Sequence, residues 1–267
     1  MLYVYIALIV VGFVGVIACQ KKQKTNPNAQ ALAFLCMIPL LVGVGGVIYL
    51  KSGFFFDEEQ DRSIKNETQF TKAQAKALTD YMGTQWKGQT AVLIIEPSAD
   101  SSEFSKAKIK ALEDGMKAAG INVTTEKLNL PTPKEGEEPV AMEDALKADV
   151  YNAIFDKFKD ATIFVIAAQM PMDDKEFGKM KCWKFDGKKV RVVLANANEL
   201  GRLRLGAVKT GVVGAAIIDK TGKDAKYNPE KDDAPSDLKA AFDLRFVLVT
   251  PANAEEIAKT SPDTFAK

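Results

Sequence analysis

Two uncharged apolar runs at the start of the chain, Leu2 to Cys19 and Ala31 to Leu50, constrain it more than any other feature. Each is long enough to cross a bilayer core of roughly 30 Å as a helix. Pro39, Gly43, Gly45 and Gly46 would weaken the second helix in water, but membranes tolerate such residues where a neighbouring helix repairs the backbone. The link from Gln20 to Gln30 holds Lys21, Lys22 and Lys24, the only charged side chains before Lys51, around an Asn26-Pro27-Asn28 turn. Positive loops stay in the cytoplasm. The sequence therefore predicts a multi-pass protein of the inner (cytoplasmic) membrane, touching lipid through residues 2–50, with both termini and everything after the second run outside. The exit Asp57, Glu58, Glu59 and Asp61 does not oppose this orientation.

Val16-Ile17-Ala18-Cys19 also resembles a lipoprotein cleavage box, which would make Cys19 a lipidated N-terminus. The basic leader segment is missing and a second full run follows within a dozen residues, so two spans are the preferred reading. Ala7, Gly12 and Gly15 form a small-residue face suited to close helix packing.

After Leu50 the chain carries 33 basic and 35 acidic residues. Lys106, Lys108 and Lys110 are interleaved with Glu103, Glu113 and Asp114, so no basic stripe exists to displace nucleic-acid counterions, and no nucleic-acid partner is expected. Histidine is absent from the sequence. This removes serine–histidine–acid triads, histidine-activated cysteines and histidine-containing zinc sites. Of three cysteines, Cys19 and Cys36 lie in the apolar runs and Cys182 stands alone, so the soluble part must fold by burying a core.

The expected division is a hairpin over 1–50, a connector and helix over 51–88, and an α/β domain over 89–267. In the connector, Phe70, Ala73, Ala77, Leu78 and Tyr81 recur at helical spacing. Beyond it, strands are predicted over Ala91–Ile95, Ile121–Leu128, Ala161–Ala168, Val190–Ala195, Val212–Ile218 and Phe246–Thr250. Helices are predicted over Ser102–Ala119, Met142–Lys159, Glu199–Lys209 and Asn253–Lys259. Strands apolar throughout belong to sheets covered on both faces, which makes the fold doubly wound and mostly parallel. Gly120 and Gly211 close the helices that precede two strands.

The unit Val92-Leu-Ile-Ile-Glu-Pro-Ser-Ala-Asp, the helix end Gly115-Met-Lys-Ala-Ala-Gly120 and the strand start Ile121-Asn-Val resemble the opening β-α-β of type I periplasmic binding proteins and related receptor domains. The stretch Leu205-Gly206 to Ile217-Ile218 is similar to the helix and strand near their second lobe. The resemblance implies a solute-binding or sensing domain. The length permits a single flavodoxin-like lobe or two abbreviated ones.

In open α/β sheets a ligand sits beyond the carboxyl ends of the strands, where strand order reverses. That nominates Ser98 and Ser101 in the loop after the first strand, Gln169 after the third, and Asn196 and Asn198 after the fourth. The bland reading of the first loop is a helix N-cap made by Asp100 with Glu103, and amides also end strands for local reasons. Asp173 and Asp174 lack the further oxygens a calcium loop needs and read as a solvated turn. Cys182, beside Lys181, Trp183 and Lys184, reads as a packed cysteine. Gly201, Gly206, Gly211 and Gly214 match no nucleotide fingerprint. Pro131–Pro139 and Thr221–Ser236 are long loops suited to partner contact, and Asn66-Glu-Thr68 and Asn122-Val-Thr124 are glycosylation sequons.

No catalytic residue, metal or cofactor is expected. The first functional reading is a non-catalytic subunit of a larger membrane assembly, whose partners are other membrane subunits or copies of itself. The alternative is a membrane-tethered domain binding a small polar solute.

Overall fold

In a computed structural model of the chain, residues 2–22, 29–51, 58–131, 141–196, 199–221, 225–229 and 231–266 are described. They divide into two compact units, residues 1–62 and 63–267.

The first unit contains helices α1 (Leu2–Lys22) and α2 (Ala29–Lys51), both long and apolar enough to cross a membrane. They pack through glycine. A Cβ on Gly12 would stand 2.7 Å from the Leu40 nitrogen, one on Gly43 2.7 Å from the Tyr5 carbonyl oxygen, and one on Gly46 2.1 Å from the Tyr5 ring. No side chain fits at those positions, so the small-residue face of α1 is used inside the hairpin. The large side chains point away from it, Val11, Phe34, Leu35 and Leu41 each being more than half exposed.

The second unit is built on one sheet of six strands: β1 (Thr90–Ile95), β2 (Asn122–Lys127), β3 (Ile163–Ile166), β4 (Arg191–Leu194), β5 (Val213–Asp219) and β6 (Phe246–Val249). Their order is β2-β1-β3-β4-β5-β6. The first five are parallel and β6 is antiparallel to β5. A single lobe results. The helices are α3 (Glu58–Trp86), α4 (Glu103–Ala118), α5 (Met142–Ala145), α6 (Ala148–Lys157), α7 (Asp174–Lys179), α8 (Leu205–Lys209), α9 (Leu238–Arg245) and α10 (Ala254–Thr260).

Alternate residues of each strand feed two cores, as two-sided burial requires. Val92, Ile94, Phe164, Ile166, Val192 and Leu194 face Tyr151, Ile154 and Phe155 of α6, Val208 of α8 and Ala254 of α10. Ala91, Leu93, Ile95, Val165, Val193, Ala215 and Ile217 face Phe70, Leu78, Met82 and Trp86 of α3, Leu112 and Met116 of α4, and Phe242 of α9. Burying each large apolar side chain is worth roughly 1.5–3 kcal/mol. Glycine sets two close approaches on the α3 side: a Cβ on Gly83 would meet the Ala119 Cβ at 2.7 Å, and one on Gly214 would meet the Trp86 ring at 2.7 Å. Gly120 and Gly211 have φ of +77° and +80°, as helix-closing glycines should.

Several elements differ from the sequence reading. The helix expected over Met142–Lys159 breaks after Ala145, because Leu146 and Lys147 are extended and the Glu176 carboxylate accepts from the Ala148 N–H at 3.1 Å, starting α6 afresh. Asp173 and Asp174 do not form a solvated turn: Asp173 caps α7, accepting from the Lys175 and Glu176 N–H groups at 2.9 Å each. The cap of α4 is Ser102, not Asp100, which pairs with Lys127 instead. Helix α9 was not expected at all. The Lys220 N–H donates to the Arg245 carbonyl at 2.8 Å, and β6 therefore sets off from the end where β5 finished.

One edge strand, β2, is polar apart from Val123, and its charged side chains are paired: Glu126 with Lys157 and Lys127 with Asp100.

The loop Pro131–Pro139 lies outside the described residues apart from Pro131. The described part of Thr221–Ser236 forms a strap on α3. Asn66 donates from Nδ2 to the Asp232 carbonyl at 3.0 Å and accepts at Oδ1 from the Ala234 N–H at 2.9 Å, while Gln69 donates to the Pro235 and Ser236 carbonyls. Phe70 stacks edge-on with Tyr227 at 4.6 Å, and Arg245 pairs with Glu67 at 2.6 Å over the Phe70 ring. Asn66 is buried with its amide committed on both sides, so this sequon is closed to glycosylation in the folded chain; Asn122, on β2, is exposed.

Replacing Asn66 by alanine would strand two backbone groups, at a cost of about 2 kcal/mol or more. We expect Asn66→Ala to lower the denaturation midpoint and to accelerate amide hydrogen exchange in residues 225–236 before the β-strands exchange. Unchanged exchange in that segment would show that the strap is held by other contacts.

Candidate functional site

The order β2-β1-β3-β4-β5 places the reversal between β1 and β3, and the crevice beyond their carboxyl ends is where doubly wound folds bind ligands. Three polar residues follow the strands there: Glu96 after β1, Gln169 after β3 and Asn196 after β4. The structure ties them together. The Gln169 N–H donates to Glu96 Oε1 at 3.3 Å, and Asn196 Nδ2 donates to the Ala168 carbonyl at 3.0 Å. Lys108, from α4, donates its ammonium to Asn196 Oδ1 and lies within electrostatic reach of Glu96. From the opposite face of the sheet, the buried Tyr151 hydroxyl donates to the Gln169 carbonyl.

Burial pulls the Lys108 amine below its ordinary value, and the Glu96 carboxylate partly restores it. Burial also raises the Tyr151 hydroxyl, with Glu199 and Glu96 adding to the rise. Glu199, in the short 3₁₀ turn Glu199–Arg202, is likewise raised by burial and partly lowered by Arg202.

Arg202 joins the loops that follow β3 and β4. It donates to the Pro171 carbonyl at 2.7 Å and the Met172 carbonyl at 3.2 Å, pairs with Asp174 at 3.1 Å, and lies 4.0 Å above the Phe177 ring. A planar five-donor guanidinium suits such a multiple contact.

The residues nominated from sequence fall as follows. Gln169 and Asn196 are half-buried and lie within one network. Asn196 has both ends of its amide engaged, so it positions Lys108 and the β3 loop. Among the described residues, the Gln169 side-chain amide and the exposed Ser98 hydroxyl have no hydrogen-bond partner. Ser101 turns its hydroxyl onto the Ser98 carbonyl at 2.6 Å and is exposed. Asn198 lies outside the described residues. Cys182 is fully buried and its thiol is pushed up by that burial, which leaves it a packing residue.

Glu96, Lys108, Tyr151, Glu199 and Arg202 were not singled out from sequence. Two had a signal. Glu96 directly ends the apolar run Ala91–Ile95. Lys108 shares the helical stripe of buried Leu112 and Met116, where a lysine is out of place unless its ammonium is received.

A groove of about 920 Å³ opens at the carboxyl end of β5, lined by Gly201, Ile218, Lys220, Val247, Asn253 and Glu256 among others. It offers volume, but Asn253 spends its amide on the Leu248 carbonyl and the Thr250 N–H, and Lys220 donates to the Asp243 carbonyl. The strand-end cluster offers a convergent set of groups.

No protein-family model and no curated protein matches the chain. Solved structures do. An ABC transporter solute binding protein from Bradyrhizobium sp. BTAi1 with bound bis-tris is 11% identical over 75% of this chain and 54% of its own, with a TM-score of 0.44. A periplasmic ribose ABC transporter protein from Conexibacter woesei is 10% identical over 71% of this chain and 60% of its own, with a TM-score of 0.43. The Caulobacter myo-inositol binding protein bound to myo-inositol is 17% identical over 72% of this chain and 62% of its own, also at 0.43. The chain thus spans a little over half the length of these structures. The α/β assignment rests on the strand order above rather than on likenesses of this size.

The Glu199 shift gives a pH dependence. A carboxyl whose folded pKa lies above its unfolded value binds more protons when folded, so stability falls as pH rises from the ordinary value of 4.5 through the raised one. We expect Glu199→Gln to flatten that decline and to raise the melting temperature at pH 7. An unchanged pH profile would mean that the carboxyl is solvated.

Proposed function

We propose that this chain is a non-catalytic, membrane-anchored protein whose α/β domain holds a small polar solute at the carboxyl ends of β1, β3 and β4, outside the cytoplasm. The observation that carries this reading is the convergence of Glu96, Lys108, Gln169 and Asn196 on the crevice where the strand order reverses. Glu96 presents an acceptor, Lys108 a charged donor held at one depth by Asn196, and Gln169 an amide with both functions and no other partner among the described residues. The charges of Glu96 and Lys108 offset each other, so the site suits a solute that is polar over its surface rather than strongly ionic. Ser98, exposed on the rim, supplies a hydroxyl.

The anchor is the α1–α2 hairpin. Its outward residues are apolar, and the lysines at Lys21, Lys22 and Lys24 favour a cytoplasmic turn. The absence of histidine from the sequence and the burial of Cys182 support a binding rather than a catalytic role.

A subunit of a larger membrane assembly, partnered by other membrane proteins or by copies of this chain, is the second reading. It ranks lower because Gly12, Gly43 and Gly46 spend their packing surface within the hairpin.

The test is native mass spectrometry of the protein extracted from its own membrane, followed by calorimetric titration with the solute found. We expect one chain carrying a defined small-molecule mass, and about a tenfold loss of affinity, near 1.4 kcal/mol, in Gln169→Ala. A stable hetero-assembly without a small adduct would favour the second reading.

A further inference from the structure

Cys19 and Cys36 come from opposite helices of the hairpin and lie within electrostatic reach of each other. Gly15 makes the approach possible. A Cβ built there would stand 2.6 Å from Cys36 Sγ and 3.0 Å from Cys36 Cβ, so any side chain at position 15 would occupy the volume the sulfur fills. Gly15 lies one helical turn before Cys19, so the Cys36 side chain, seated on Gly15, shares a face of α1 with Cys19. Cys19 is buried and Cys36 half-buried, in a hairpin whose two helices are otherwise largely apolar. Ordinary packing asks for no second thiol at this contact.

We propose that Cys19 and Cys36 are a redox pair that forms a disulfide fastening α1 to α2, with a hydroperoxide as the electron acceptor. One sulfur attacks the peroxide; the oxygen–oxygen bond breaks, leaving an alcohol and a sulfenic acid. The second sulfur attacks the sulfenic sulfur, the sulfur–sulfur bond forms, and the hydroxyl leaves as water with the second thiol's proton. Two thiols are oxidised by two electrons and one hydroperoxide is reduced to an alcohol and water. The third cysteine, Cys182, is fully buried in the other unit and serves as an internal control.

The experiment treats native membranes containing the full chain with tert-butyl hydroperoxide, counts free thiols by mass tagging after denaturation, and maps the linked peptides. Loss of two of the three thiols in a monomer, with Cys19 joined to Cys36, is the expected result; a reductant restores both. Cys19→Ser and Cys36→Ser should each abolish the link, and Gly15→Leu, which keeps both cysteines, should lower its yield at least tenfold. Three free thiols after treatment would overturn the proposal. So would links only between chains, or a lipid mass on Cys19. If Gly15→Leu disrupts the hairpin, the two serine variants decide alone.

Discussion

The soluble unit depends on covering one face of a parallel sheet with a helix that lies before the sheet in the chain. Helices α4 and α9 serve that face, and the buried residues of α3, from Phe70 to Trp86, complete it. The contact is made tight by absent side chains: Gly83 lets α3 approach α4, and Gly214 lets the Trp86 ring rest on the sheet. The strap and the Arg245 cluster are further consequences, since both exist to hold the other flank of α3. Removing α3 would uncover part of that apolar strand face.

At the opposite level of the sheet, the strand ends are polar and their geometry is set by exchange between loops. Asn196 ties the third loop to α4 through Lys108, and Arg202 ties the third loop to the fourth. A half-buried lysine is costly without a receiving group, so Lys108 and Asn196 are understood only together. The same exchange leaves Gln169 as the half-buried amide that faces outward without a partner among the described residues.

Much of this was legible in the amino-acid order because each rule involved was local. The apolar run Ala91–Ile95 and the glycines Gly120 and Gly211 announced a strand and two helix ends, and the β-α-β pattern announced a doubly wound sheet. Helices α7 and α9 were missed because they are short and their signal lies in one capping aspartate each, Asp173 and Asp237. The reversed direction of β6 was also hidden, since the Lys220–Arg245 contact that starts it at the end of β5 joins residues distant in the chain. At the strand ends, the rule for open sheets found Gln169 and Asn196. Lys108 and Arg202 escaped because their partners are 88 and about 30 residues away in the chain.

The polar outer strand has a consequence for crowding. Where local concentration is high, an open strand edge invites sheet-to-sheet polymerisation. β2 is one of the sheet's two edges, and its residues are Asn122, Val123, Thr124, Thr125, Glu126 and Lys127. An incoming strand would have to separate Glu126 from Lys157 and Lys127 from Asp100 while adding no apolar contact on the polar positions. The edge thus works as a solubility device, keeping densely packed neighbours as separate molecules.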